Sequence, residues 1–239
     1  MGLMTLSATT SGGRAGRPRL EGRRSNLAPS EEILESSARL FVNEGFAATS
    51  TRDIAEAVGI RQASIYYHFK GKDDILDELL QMSVRPSLDK VQTIEAECPV
   101  EVPESALYVL ALVDVRTLAR APHNIAKLYR MPDVTNSEVY QFQPMLQELT
   151  RAYGRLGAQI ASPPVAATIS TNQLGRILIE LVESVIKARS DGDKVGRAEA
   201  HAIAASCLRA CGVTQDRIDR AEATARDPMA ELIEERSTP

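Results

Sequence analysis

The chain has 239 residues, 44% of them hydrophobic, 25% charged and 4% aromatic, and a net charge of −4. That length buries a sizeable core in one large or two coupled domains, and no apolar run approaches a membrane span. Cys98, Cys207 and Cys211 are an odd number without metal-ligand spacing. They argue against a disulfide framework and a zinc centre, and for a reducing, cytoplasmic setting.

The first 29 residues are polar and small, with no signal-peptide core. They hold five arginines against one glutamate, a net of +4 that leaves −8 for the rest of the chain. A basic tail on an acidic body attracts DNA locally while the body limits non-specific binding. Residues 1–27 are expected to be disordered when free. Their centre, Gly16-Arg17-Pro18-Arg19, resembles the core of an AT-hook. Pro18 extends the backbone, and Arg17 and Arg19 suit a narrow A·T minor groove. The alternative is a solvated basic leader.

The run Ser50–Lys72, STRDIAEAVGIRQASIYYHFKGK, predicts two short helices joined by a glycine turn. Ser50-x-x-Asp53 fits a capping box. Ile54 and Val58 share one face, and Gly59 stands where positive φ ends a helix. Ile60 and Ile65 pack back on that face. Arg61, Gln62, Ala63 and Ser64 open the second helix with polar or small side chains, the arrangement of a helix-turn-helix that reads the major groove. Gln62 suits an adenine edge, Arg61 a guanine or a phosphate, and Ala63 a thymine methyl. Tyr66, Tyr67, His68 and Lys72 can bond phosphate oxygens. An ordinary helical hairpin is the competing reading of any one of these residues taken alone.

Further along, the pattern predicts a fourth helix from Lys72 to about Val84, ended or kinked by Pro86, and a weaker one over Ser87–Glu97. Ser105–Ala121 is strongly apolar and stopped by Pro122. Asn124–Arg130 predicts a short helix, Glu138–Ala161 an amphipathic one, and Pro163-Pro164 a break. A broad apolar stripe follows through Leu174, Ile177, Leu178, Leu181 and Val185. After the turn DGDKVG comes a small-residue helix with Ala198, Ala202 and Ala205, forming an antiparallel pair with the striped helix. The stripe serves either a dimer interface or only the protomer's own core. Asp216–Glu235 predicts a charged, exposed and frayed C-terminal helix.

The segments ILESSARLFVNEGF, STRDIAEAVG, IRQASIYYHF and KGKDDILDELL together resemble the DNA-binding domain of the TetR family of bacterial transcription regulators. The resemblance implies an all-α homodimer. An N-terminal three-helix DNA-binding domain over 28–86 is followed by a helical ligand and dimerisation domain over 87–239. It also implies that Thr51, Arg52, Gln62, Ala63, Ser64, Tyr66, Tyr67, His68 and Lys72 face double-stranded DNA carrying a pseudo-palindromic operator. The helix pair from each protomer would then form a four-helix interface.

Within that family, DVRTLARAPHNIAKLYRMPDV (114–134) and EVYQFQPMLQEL (138–149) resemble actinobacterial nitrogen-control repressors. There the resemblance implies release from DNA by a PII-type nitrogen-signalling protein. A small-molecule inducer is the alternative. Arg116, Arg120, Lys127, Tyr129 and Arg130 are the body residues to inspect for an anionic ligand or an acidic partner, against the reading of a solvated face. No catalytic constellation, cofactor motif or metal-ligand spacing is present, and Cys207 and Cys211 read as small core residues beside His201.

Overall fold

The computed structural model of the chain describes residues 27–130, 134 and 141–225. Arg17 and Arg19 lie outside these residues. Three short helices come first, α1 (Pro29–Asn43), α2 (Thr51–Val58) and α3 (Gln62–His68), followed by the long α4 (Lys72–Glu97). Pro29 begins α1, and the Glu31 carboxylate accepts from the Ala28 N–H at 2.9 Å, which satisfies one donor of the first turn. Ile33, Phe41, Ile54 and Ile65 are fully buried and join α1, α2 and α3 into one small core, which Ile75 and Leu76 of α4 complete.

The expected end of the fourth helix near Val84 is not observed; α4 runs unbroken through Pro86 to Glu97. The physical reason lies in which side the proline occupies. Leu76, Leu80, Ser83, Val84, Ser87, Val91 and Ile94 form a continuous buried stripe at helical spacing, while Pro86 and Met82 are exposed. The carbonyl of Met82, four residues back, loses its partner on the solvent side, where water replaces it.

A body of helices packs against the far part of α4. It consists of α5 (Glu104–Arg120), a 3-10 segment (Pro122–Arg130), α6 (Phe142–Ile160), α7 (Pro163–Thr168), α8 (Thr171–Ser190), α9 (Arg197–Ala210) and α10 (Gln215–Thr224). Every residue of α5 from Glu104 to Val115 is buried, because the helix is apolar on most of its surface and runs through the centre of the body. Pro163-Pro164 starts the short α7 rather than only breaking the chain, since the first helical turn tolerates the missing N–H. The C-terminal helix also departs from expectation. Ile218 and Ala221 of α10 are buried, and Arg217 bonds the buried Glu104 carboxylate, so α10 is docked on α5. The stretch 226–235 lies outside the described residues.

The tightest packing in the body is between α6 and α8, which cross on glycines. A methyl group at Gly175 would stand 2.4 Å from the Thr150 carbonyl oxygen, and one at Gly154 2.6 Å from that of Thr171. Backbone therefore touches backbone at this crossing. Around it the interior is polar at two points. Asp114 of α5 is buried and accepts from the Ser87 hydroxyl and the Tyr153 hydroxyl, each at 3.0 Å. Burial pushes its carboxyl up to about 7, against the lowering effect of those two bonds. Glu183 of α8, also buried, accepts from Tyr129 at 2.7 Å and from Arg130.

The 3-10 segment links body and head. His123 and Asn124 adopt left-handed backbone conformations, with φ of 53° and 54°. Arg189 of α8 donates to the Leu118 and Ala121 carbonyls, and Asn124 donates to the Ile186 carbonyl, which ties this turn to the end of α8. On the other side His123 meets Glu35 at 2.8 Å and Lys127 donates to the Val42 carbonyl at 3.1 Å, both on α1.

Gly175→Ala forces a backbone shift at the α6–α8 crossing and is expected to lower stability by roughly 1–3 kcal/mol in urea unfolding; an unchanged midpoint would refute the close approach. Asp114 supplies a pH test. Its folded pKa stands above its unfolded value, so the folded state holds the proton longer. Stability from this group is full below pH 4 and is lost as pH rises to about 7. Asp114→Asn should therefore gain stability relative to wild type across that window, and parallel pH profiles for the two proteins would contradict it.

Candidate nucleic-acid interface

The capping box at the start of α2 forms as the residue types require. The Ser50 hydroxyl accepts from the Asp53 N–H at 3.3 Å, and Asp53 accepts from the Ser50 N–H at 2.8 Å. The Ser50 hydroxyl also lies 2.6 Å from the Asp53 carboxylate, and its bond to that group, with the one from the Ser50 N–H, holds the exposed Asp53 carboxyl below its ordinary range. Gly59 ends α2 with φ of 77°, and the Ile60 N–H returns to the Ala55 carbonyl. The turn sets α3 across α2, with Ile65 pointing inward and its neighbours outward.

Arg52, Arg61, Gln62, Ala63, Ser64, Tyr66, Tyr67 and His68 are all exposed on this one side, and Thr51 is half-buried beneath them. Tyr67 is 86% exposed, far beyond what a packing tyrosine shows. Its ring meets that of His68 edge-on at 5.1 Å. A surface network orders the face: Gln62 donates to the Thr51 hydroxyl at 2.9 Å, and Thr51 lies 3.2 Å from the Tyr66 hydroxyl. The Gln62 amide is thereby held by its nitrogen. Lys70, which sequence reasoning passed over, is exposed at the end of the same face.

Lys72 behaves differently from expectation. Its ammonium donates to the carbonyls of Phe46 at 3.0 Å and Thr49 at 3.1 Å, and lies 4.5 Å from the centre of the Phe46 ring. It fastens the start of α4 to the loop between α1 and α2, and its donors are directed inward.

The expected dimer residues divide in two. Leu174, Leu178, Val185 and Ala205 are buried inside the protomer, where the most apolar side of each helix packs on its own bundle. Ile177, Ala198 and Ala202 are exposed, and Leu181 is half-buried. Ile177 and Leu181 share a shallow groove on α8 with Ile169, Gln173, Arg176 and Glu180. Among the described residues no helix is long and apolar enough to cross a membrane.

Residues 33–79 match the family described as bacterial regulatory proteins, tetR family. The crystal structure of Mycobacterium smegmatis AmtR superposes with a TM-score of 0.71 at 34% identity, covering 87% of this chain and 96% of that one. The chain belongs to the TetR family. Two curated members are similar over the N-terminal region. The transcriptional repressor KstR2 of Mycobacterium tuberculosis is 46% identical over 50 residues, 21% of this chain and 25% of that protein. The regulator YerO of Bacillus subtilis is 35% identical over 77 residues, 32% of this chain and 27% of that protein. The match thus spans about a quarter of either curated relative. The TetR-family regulator PfmR of Thermus thermophilus shares the fold at 20% identity and a TM-score of 0.60, covering 77% of this chain and 97% of that one. The all-α architecture, with a TetR helix-turn-helix followed by a helical body, is that of a transcription regulator.

Two variants separate fastening from reading in this TetR-family protein. Lys72→Met removes an ammonium bonded to carbonyls and should lower stability without DNA by about 1–3 kcal/mol. Tyr67→Phe removes a solvated hydroxyl and should leave the melting temperature unchanged while weakening DNA binding. Equal melting temperatures for Lys72→Met and wild type would contradict the fastening role.

Proposed function

We propose that this protein is a homodimeric, cytoplasmic repressor of nitrogen-metabolism genes that a PII-type nitrogen-signalling protein releases from its operator. The observation that carries the proposal is the 34% identity to AmtR across 87% of the chain, which takes in the regulatory body as well as the helix-turn-helix. Bodies within the family differ with their signals, so likeness there bears on the signal. The resemblance of 114–134 to nitrogen-control repressors points the same way.

Arg52, Arg61, Gln62, Ala63, Ser64, Tyr66, Tyr67 and His68 contact the operator in this reading, with Thr51 orienting Gln62. Gln62 reads a base edge, and the tyrosine hydroxyls and arginines bind phosphates. The tail arginines Arg17 and Arg19 lie in an adjacent minor groove. Dimerisation through the exposed side of α8 and α9, with Ile177, Leu181 and Ala202, places the two α3 helices on half-sites roughly 34–36 Å apart. The reading head (28–86) and the regulatory body (87–239) then share α4 as a common spine. A PII-type protein acts by favouring a dimer whose head spacing misfits that repeat.

Fluorescence anisotropy with DNA from the protein's own gene neighbourhood tests both parts. Specific, salt-sensitive binding that a purified PII-type protein reverses is the expected result. Specific binding indifferent to that protein would remove the nitrogen-status reading, and the absence of specific binding would remove the repressor reading.

A further inference from the structure

A second candidate site lies where head, spine and body meet, in a cavity of about 280 Å³ between α1, α4 and the end of α5. Glu31, Leu34, Glu35 and Ala38 recur at helical spacing, so one face of α1 lines it, with Leu27 just ahead of the helix. Leu79, Met82 and Ser83 line it from α4. Thr117, Ala121 and Ile125 close it from the end of α5 and the 3-10 segment. Most of this lining is apolar, and Leu27 and Met82 are large hydrophobic side chains left exposed. A molecule seated here touches head, spine and body at once.

The polar side chains of the cavity have acceptors to offer and no donors. The Ser83 hydroxyl donates to the Leu80 carbonyl at 2.6 Å and the Thr117 hydroxyl to the Val113 carbonyl at 2.9 Å, so both protons are used within their own helices. Glu31 accepts from the Ala28 N–H through Oε2, and Glu35 meets His123 through Oε1. Oε1 of Glu31 and Oε2 of Glu35 have no hydrogen-bond partner among the described residues. No lysine, arginine or histidine lines the cavity. It differs in this from two other glutamate-lined clefts. The groove on α8 with Glu180 contains Arg176, and the cleft between α4 and α6 with Glu95 and Glu148 contains Arg155.

Glu31 and Glu35 are four residues apart, where like charges on a helix repel, and a cation between them relieves that repulsion. Beside an apolar wall the attraction is screened less than on open surface. An anion would meet two carboxylates and no donor. The volume suits a small ligand, and the lining asks for a hydrocarbon part with one donating, charged end.

We infer that this cavity binds a small apolar amine, with the protonated nitrogen at Glu31 and Glu35 and the hydrocarbon part against Leu34, Leu79 and Met82. The inference rests on the cavity alone and is independent of the nitrogen-control reading.

Isothermal titration of the full-length protein with phenylethylamine at low salt tests it. One saturable site per protomer is expected. Phenylethanol, which keeps the ring and lacks the charge, should bind that site at least about tenfold more weakly, and phenylacetate should not compete for it. Glu31→Gln/Glu35→Gln should lose at least about tenfold for the amine and leave the affinity for phenylethanol unchanged. Ala121→Leu, which fills part of the cavity, should weaken both. Circular dichroism matching wild type confirms that the variants are folded, and the comparison of the three probes on wild type stands without them. No saturable binding of the amine, an alcohol or acid that binds as well as the amine, or amine affinity retained in either folded variant would overturn the inference.

Discussion

A lysine in the first turn of a helix faces the positive end of the helix dipole, and Lys72 stands there at the start of α4. It is held by the carbonyl oxygens of Phe46 and Thr49 and by the face of the Phe46 ring. Those carbonyls belong to the loop between α1 and α2, so one side chain joins all the elements that position α3. The rest of α4 carries that placement into the body, because its buried stripe continues without interruption past Pro86. Head orientation thus depends on one charged fastening and one unbroken spine.

The body contributes a second link. The end of α8 is clamped to the 3-10 segment by Arg189 and Asn124, and that segment touches α1 through His123 and Lys127. Two successive non-glycine residues with positive φ mark the segment as strained, a cost of order 1–3 kcal/mol each that the surrounding bonds offset. A chain of contacts thus joins the end of α8 to α1 without passing along α4. The glycine crossing brings the backbones of α6 and α8 into direct contact.

The reading head was legible in the sequence because its signals are local. The Ser50–Asp53 box, Gly59 and the polar opening of α3 each act within four residues, and all three take the expected form. Features that depend on which face meets which partner were not legible. Pro86 breaks a helix only if its freed carbonyl is buried, and nothing local reveals that it is exposed. The stripe on α8 is broad enough to serve two surfaces, and its strongest members, Leu174, Leu178 and Val185, went to the protomer's own core. The inward role of Lys72 needs carbonyls more than twenty residues away. Gly154-x-x-Gly157 on an amphipathic helix was a readable sign of close helix approach that the apolar pattern obscured.

Head and spine are expected to form one rigid body. The direct measurement is the distance between spin labels at Glu56→Cys on α2 and Ala96→Cys near the end of α4. Both positions are exposed, and the labels are read in a Cys98→Ser background diluted with unlabelled protein. A single narrow distance, broadened by Lys72→Met, is the predicted result. A broad or two-peaked distribution in the Lys72 protein would mean that α4 hinges at Pro86 or that the head is loose on it, and would contradict the account.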